Sequence, residues 1–398
     1  MNTNDFPMLN NDIIYFDNGA TSLKPKCVLD KMNEYYESYG ANAHRGDYDI
    51  SYKSSLEYDN VREEVRDFIN ARSLEEVVFT SGATQSLNMI ANGFFANLLD
   101  SNDEILITTT EHASNVLPWF NLANKIGCKV GYIPLDDNYY VTVDNVLKAI
   151  TPNTKVISLA HITNTIGDKR PIKEICKIAH ERNIFVVVDA AQSLPHFKVD
   201  VRDLDVDFMA FSAHKMCGPT GVGVLYGKKE LLEELEPINL GGGMNESFDS
   251  PDQIYLKELP TRLEAGTPNI AGVIGFGEAI RYLKSIGMDK IESYEQSLRK
   301  YLVDKLIKIP HIDIINIESD SGIISINVDN IFAQDVAYYL NKYGICVRAG
   351  NHCAKLTKNA TGVKNSLRIS LYFYNTESQC DELVELLSDK NKIIKEML

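Results

Sequence analysis

The run FMAFSAHKMCGPTGVGVLYG (208–227) sets Lys215 just past an apolar, β-rich stretch and ahead of a Gly-Pro-Thr-Gly turn that leads into another. An amine flanked by apolar strands is partly desolvated. Desolvation favours its neutral form, which can attack a carbonyl and form a Schiff base. On charge alone, a solvated strand-end lysine would read the same way. Asp189 closes a second apolar run, NIFVVVDAAQS (183–193), with Gln192 three residues on. By itself it also suits a helix cap or a turn. In an open α/β sheet, ligands bind beyond the carboxyl ends of the strands, so Asp189 and Lys215 can face one site. A carboxylate that keeps a pyridine nitrogen protonated, together with a lysine that captures an aldehyde, is the pair that pyridoxal 5′-phosphate requires.

Two further stretches sit at strand ends. In FTSGATQSLNMIA (79–91) a strand gives way to Ser-Gly-Ala-Thr and an amphipathic helix. Such a junction offers free N–H groups and a favourable dipole to a phosphate, although ordinary helices begin this way too. In TTTEHASNVLPW (108–119), His112 follows a strand and could lay its ring over a planar cofactor; a structural role is equally open to a lone histidine. Near the chain's end, RAGNHCAKL (348–356) puts Cys353 in a polar loop rather than an apolar run. A metal site there would need ligands from distant segments: Cys346 is seven residues earlier, and no further His or Cys adjoins.

The elements that must position these groups follow from periodicity. Between residue 76 and about 235, β-rich runs at 75–80, 104–110, 129–135, 154–160, 183–189, 207–212 and 222–227 alternate with helical stretches at 83–95, 116–126 and 172–183. This predicts a large three-layer α/β domain with a mostly parallel sheet. GGGMNESFDS (241–250) reads as a loop, after which helices at 272–287 and 290–308, strands at 322–328 and 366–373, and a terminal helix capped by Thr376 predict a smaller α+β C-terminal domain. The expected division is 20–265 for the large domain, with 1–19 and 266–398 forming the small one. The 398 residues are 44% hydrophobic with a net charge of −15, which excludes nucleic acid and anionic membrane as main partners. No apolar run approaches the roughly 20 residues of a membrane span, and no leader pattern opens the chain, so a cytoplasmic protein is expected. The seven cysteines are scattered without a CxxC pair, which suits free thiols in a reducing compartment. No GxGxxG opens a helix after a strand, which argues against a nicotinamide dehydrogenase.

SAHK (212–215), DAAQS (189–193), TTEHASN (109–115) and EAGTPN (264–269) together resemble the class V, fold-type I aminotransferase-like pyridoxal phosphate enzymes. RAGNHCA (348–354) narrows the resemblance to the SUF-type cysteine desulfurases, with selenocysteine lyase-like members close by. It runs from DNGATSLKP (17–25) to RISLYFYN (368–375). The resemblance implies that Lys215 binds the cofactor aldehyde, Asp189 pairs with the ring nitrogen, Gln192 bonds the phenolate oxygen and His112 stacks on the ring. It also implies that Thr84, Ser212 and His214 contact the phosphate, while Thr267 reaches the phosphate of a neighbouring subunit, so a homodimer is expected. Arg368 would clamp the substrate carboxylate, Asn164 and His44 would complete the substrate site, and Cys353 would be the nucleophile.

The reaction so implied converts L-cysteine to L-alanine, with Lys215 moving the Cα proton and the Cys353 thiolate taking the sulfur as a persulfide. A sulfur-acceptor or iron–sulfur scaffold protein would then receive it. Selenocysteine lyase, or another class V lyase or transaminase, is the alternative. Members of the family often carry a second histidine where Asn351 stands, which moves the stabilisation of the thiolate onto His352 and Arg348. Only 14 residues separate Cys353 from Arg368, so a short, restrained loop over a covered site is expected.

Overall fold

The computed structural model describes residues 3–397. Its central sheet has seven strands: Val77–Thr80 (β1), Glu104–Ile107 (β2), Lys129–Tyr132 (β3), Thr154–Ala160 (β4), Phe185–Asp189 (β5), Phe208–Ser212 (β6) and Gly223–Gly227 (β7). Their order is β1-β7-β6-β5-β4-β2-β3, and only β7 is reversed against its neighbours. β4, β5 and β6 are buried almost throughout, which is why their sequences are near-continuous apolar runs rather than alternating ones. Alternation survives in which face each residue serves. Val186 and Val188 join one core with the helices Ile172–His180 and Ile270–Ile286, while Val187 joins the other with Leu87, Phe94 and Trp119.

Asn245–Ser250 (β8) and Gln253–Leu256 (β9) form an exposed hairpin where a loop was expected. A ribbon wet on both faces needs no apolar alternation, so nothing in its composition marks it as strand. A second sheet, all antiparallel, is built from Ile312–Ile314 (β10), Ile323–Val328 (β11), Arg348–Gly350 (β12) and Ser366–Ser370 (β13) in the order β10-β11-β13-β12. Its apolar face packs on Leu298, Leu302 and Leu306 of the polar helix Met288–Leu306 and on the helix Glu377–Ser388. Thr376 caps that helix in a capping box with Gln379, as the sequence predicts, but the helix is not the last: it stops at Ser388 and a separate helix, Lys390–Met397, follows. β13 stops at Ser370; Leu371–Phe373 leave the ladder but stay buried.

Two features connect the sheets. Ile14–Tyr15 pairs in parallel with Ile345–Cys346, and Asp17 bridges Ser370, so the chain's start is woven into its C-terminal third. The helix Ile270–Ile286 and residues Tyr372–Tyr374 share the larger core of the seven-stranded sheet. Groups from both regions are therefore fixed in one frame. Among the described residues no helix is long and apolar enough to cross a membrane.

Candidate active site

β4, β5 and β6 end at Ala160, Asp189 and Ser212 along one edge, where Asp189 pairs in register with both Ala160 and Ala210. A cleft of about 240 Å³ opens there. Beyond Ser212 the backbone makes one tight turn, Ala213–Lys215, and the N-terminal segment clamps it: the His214 carbonyl accepts from Ser22 N (3.1 Å), Thr21 Oγ1 (3.0 Å) and Lys24 Nζ (3.0 Å). Lys215 is half-buried and lines the cleft. Burial lowers its pKa to about 8, with Arg368 and Arg348 adding to the effect and Asp189 opposing it. Asp189 is itself buried; its carboxyl is pushed upward by burial, and the Lys215 charge and the Ala191 N–H at 3.0 Å offset part of that.

The opposite side of the cleft is polar. The Ser212 hydroxyl accepts from Ala83 N (2.8 Å), and Thr84 Oγ1 meets Ser114 Oγ at 2.7 Å. Gly82 and Gly223 approach so closely that a Cβ on Gly223 would lie 2.4 Å from Gly82 Cα; the chain leaving β1 can meet β7 here only because position 223 lacks a side chain. His112 accepts from Ser114 N at Nδ1 (3.1 Å), and burial, with Lys215 next, lowers its pKa to about 4, so it is neutral. His214 is lowered to about 4 as well, by burial and then by Lys215.

Arg368, on β13, is buried and aims into the cleft. Its Nη1 donates to Asn164 O (3.1 Å) and its Nη2 to Asp17 Oδ1 (2.9 Å), while Nε has no partner among the described residues. The Cys353 segment is pinned at several points. Asn164 Nδ2 donates to His352 O (2.6 Å), Ala113 N to Cys353 O (2.7 Å), and Cys353 N to Asn351 Oδ1 (3.1 Å). His352 and Cys353 both adopt left-handed backbone, with φ of 52° and 58°. That conformation is costly for residues with a Cβ and is held by these bonds. The loop is restrained, as its length suggests, but Cys353 is exposed at the rim of the cleft rather than covered.

His352, expected to help stabilise the thiolate, carries no positive charge of its own. It is buried with Nε2 on Ser366 O (3.1 Å) and Ser366 Oγ (3.0 Å), and burial, reinforced by Arg368, lowers its pKa to about 3. A neutral ring adds no positive field. The cations near Cys353 are Lys215, Arg348 and Arg368; Arg348 is exposed with Nη1 3.8 Å from Asp17 Oδ2.

The cleft thus brings together Thr84, His112, Asn164, Asp189, Gln192, Ser212, His214, Lys215, Cys353 and Arg368. His44 and Thr267 are not among them. His44 is exposed, 3.3 Å from Asp59, and lines a separate concavity with Gly266 and Pro268, the neighbours of the exposed Thr267. Sequence reasoning missed Asp17, which pairs with Arg368, and the buried Glu111–Arg170–Asp168 network behind His112. There all five Arg170 N–H groups find partners among Glu111, Asp168, Thr108, Thr110 and Ala160 O. The one available signal was the charged Glu111 beside His112 at a strand end; nothing in GDKR marks Arg170 as buried.

These residues fit pyridoxal 5′-phosphate. A buried carboxylate faces a desolvated lysine, hydroxyls line one end, and Gln192 Oε1 and Asn164 Oδ1 are buried acceptors without partners. Gln192 Nε2 donates to Gly19 O at 2.7 Å and keeps a second N–H. The model of the aminotransferase class-V family matches residues 14–383.

The chain belongs to the aminotransferase class-V family.

Within it, the chain is 40% identical over 385 residues to a probable cysteine desulfurase of Halalkalibacterium halodurans, covering 96% of this chain and 95% of that one. The apo structure of cysteine desulfurase from Thermococcus onnurineus NA1 superposes with a TM-score of 0.93 at 38% identity, covering 99% of this chain and 97% of that one. The cysteine desulfurase CsdA from Escherichia coli, in its S-sulfonic acid form, gives 0.93 at 35% identity over the whole of both chains. This likeness spans both sheets, so the cysteine loop and the lysine turn of this chain lie within the shared part.

Proposed function

We propose that this protein is a pyridoxal 5′-phosphate-dependent cysteine desulfurase that takes sulfur from L-cysteine, releases L-alanine and holds the sulfur as a persulfide on Cys353. The observation that carries the reading is the convergence of Lys215, Asp189, Arg368 and Cys353 on one cleft. Relatives named cysteine desulfurase along the whole chain support the same activity.

When bound, pyridoxal 5′-phosphate supplies the electron sink that acidifies the substrate's Cα–H and loosens its C–S bond. Asp189 Oδ would hold a proton on the ring nitrogen. Gln192 offers its free N–H to the ring oxygen, and Thr84, Ser212 and His214 supply donors for the phosphate. His112, being neutral, can lie against a planar ring without adding charge. Arg368 binds the substrate carboxylate with its remaining N–H groups, a task suited to a planar guanidinium. Lys215 Nζ, lowered to about 8, takes the Cα proton and returns it. Cys353 Sγ, as thiolate, attacks the substrate sulfur; the Sγ–S bond forms as the substrate Cβ–S bond breaks, its electron pair stays with Cβ, which takes up a proton, and the carbon skeleton leaves as alanine.

The cofactor-binding unit in this reading is 20–265, with 1–19 and 266–398 carrying the cysteine loop. The enzyme works as a homodimer in the cytoplasm, where Thr267 and His44 of one protomer serve the cleft of the other. The persulfide passes to an acceptor or iron–sulfur scaffold protein. Replacing Cys353 by Ser tests the core claim. The variant should keep the yellow absorbance of bound cofactor and lose alanine production from cysteine, and mass spectrometry should find persulfide on Cys353 of the parent only. Unchanged alanine production would refute the role of Cys353 as the group that takes the sulfur.

A further inference from the structure

Cys353 lies near the middle of an unusual tract. The chain has 55 acidic residues in 398, about one in seven, yet from Val336 to Thr376 there is none. The same tract holds Lys342, Arg348, Lys355, Lys358, Lys364 and Arg368. Arg368 is spent inside the cleft. Lys355, Lys358 and Lys364 are exposed, and among the described residues none of their amines makes an ion pair or hydrogen bond.

The three lysines are also placed together. All line a shallow concavity that backs onto the cysteine loop, sharing Asn351, His352 and Ala354 with it. Among the described residues no carboxylate lines this concavity, and the only one lining the neighbouring cleft is the buried Asp189. Among the described residues, an island of unpaired positive charge therefore flanks the loop that carries the exposed Cys353, in a protein whose net charge is −15. The overall field repels acidic macromolecules, and this island is where the repulsion is locally reversed. An acidic partner is thereby oriented with that face toward Cys353.

We propose that Lys355, Lys358 and Lys364 form the docking face for the protein that takes sulfur from Cys353, and that this partner presents its thiol from an acidic surface. The inference rests on the reading of Cys353 as the persulfide carrier. In the transfer, the acceptor thiolate attacks the outer sulfur of the persulfide. A new S–S bond forms on the acceptor, the Cys353 Sγ–S bond breaks, and its electron pair returns to Sγ as thiolate. The proton count and the oxidation level are conserved.

The test uses holoenzyme supplied with L-cysteine and short peptides of equal length, each with one cysteine flanked by aspartates, by serines or by lysines. Dithiothreitol serves as the uncharged acceptor, and peptide persulfide and alanine are both measured. The aspartate peptide should be persulfidated about tenfold faster than the serine peptide at low salt, and the lysine peptide more slowly. That advantage should fade between about 20 and 300 mM salt, as the screening length drops from roughly 20 Å to about 6 Å. In the triple variant Lys355→Glu, Lys358→Glu, Lys364→Glu the order should invert, while alanine formation with dithiothreitol stays within about twofold of the parent. The corresponding Gln variant should simply abolish the preference. Equal rates for the three peptides in the parent, or a preference that survives in a folded triple variant, would overturn the docking face while leaving the desulfurase intact. Absence of persulfide on Cys353 would overturn both.

Discussion

Asp189 and Lys215 make a counter-intuitive pair, and Asp189→Asn exposes it. In the apo protein Lys215 has a pKa near 8 because burial, Arg368 and Arg348 all disfavour its charge; Asp189 pulls the other way, with Cys353 a lesser contributor. Removing the carboxylate takes away the chief support of the ammonium form, so the amine should become more acidic, not less. A close opposite charge typically moves a pKa by about 1–3 units, and the Asp189 carboxyl is itself pushed upward by burial, so the low end applies. A one-unit drop places Lys215 near 7 and is worth about 1.4 kcal/mol. At pH 7 the neutral fraction then rises from about a tenth to about a half, a roughly fivefold gain in amine reactivity. The assay is reductive alkylation of the apo protein by a small uncharged aldehyde across pH 5.5–9.5, with Lys215 followed by peptide mass. This isolates the amine from any effect of Asp189 on cofactor affinity. Arg368→Leu is the control of opposite sign and should move the midpoint upward. A midpoint that stays put or rises in Asp189→Asn would refute the electrostatic account of the lysine.

Three other outcomes follow from the geometry. Arg368→Ala should raise KM for cysteine by about 10- to 150-fold, the worth of a charge-assisted hydrogen bond of roughly 1.5–3 kcal/mol, and Arg368→Lys should recover only part of it; steady-state kinetics with equal values for Lys and Arg would contradict the clamp. His352, lowered from 6.5 to about 3, binds fewer protons folded than unfolded between those values, so stability falls on acidification below pH 6.5. Its share is about 1.4 kcal/mol per pH unit, and His352→Gln should flatten the slope in denaturant unfolding without moving the pH profile of turnover between 6.5 and 9. Arg170→Met leaves the buried Glu111 and Asp168 carboxylates without their counter-charge and should cost about 3–5 kcal/mol in denaturant unfolding; a loss below about 1 kcal/mol would show that the network is not ionised as drawn.

The parts of this site that lie at the ends of buried parallel strands were legible, for a physical reason. Asp189 and Ser212–Lys215 interrupt apolar runs that only a two-face-covered sheet explains, and such runs end where ligands bind. Cys353 was legible by contrast, as a thiol in a polar loop. What stayed hidden depends on pairings between distant segments. The neutrality of His352 comes from its burial and then from Arg368, against the pull of its bond to Ser366, and that setting exists only because β12 lies beside β13. The hold of Asp17 on Arg368 needs the N-terminal segment to thread between sheets, and the exposed β8–β9 hairpin carries no apolar period to betray it.

The pinning of the cysteine loop decides which body moves when sulfur is passed on. Its carbonyls at His352 and Cys353 are held by Asn164 and Ala113, both on segments that leave the seven-stranded sheet, and two successive left-handed residues leave the backbone little room to unwind. A carrier that swung toward its acceptor would have to break both bonds and relax both residues on every turnover. Cys353 is already exposed at the rim, so no such excursion is needed. The economical route keeps the nucleophile fixed over the cleft and brings the acceptor's thiol to it, which makes the charge surrounding Cys353, rather than the mobility of its loop, the quantity that selects the acceptor.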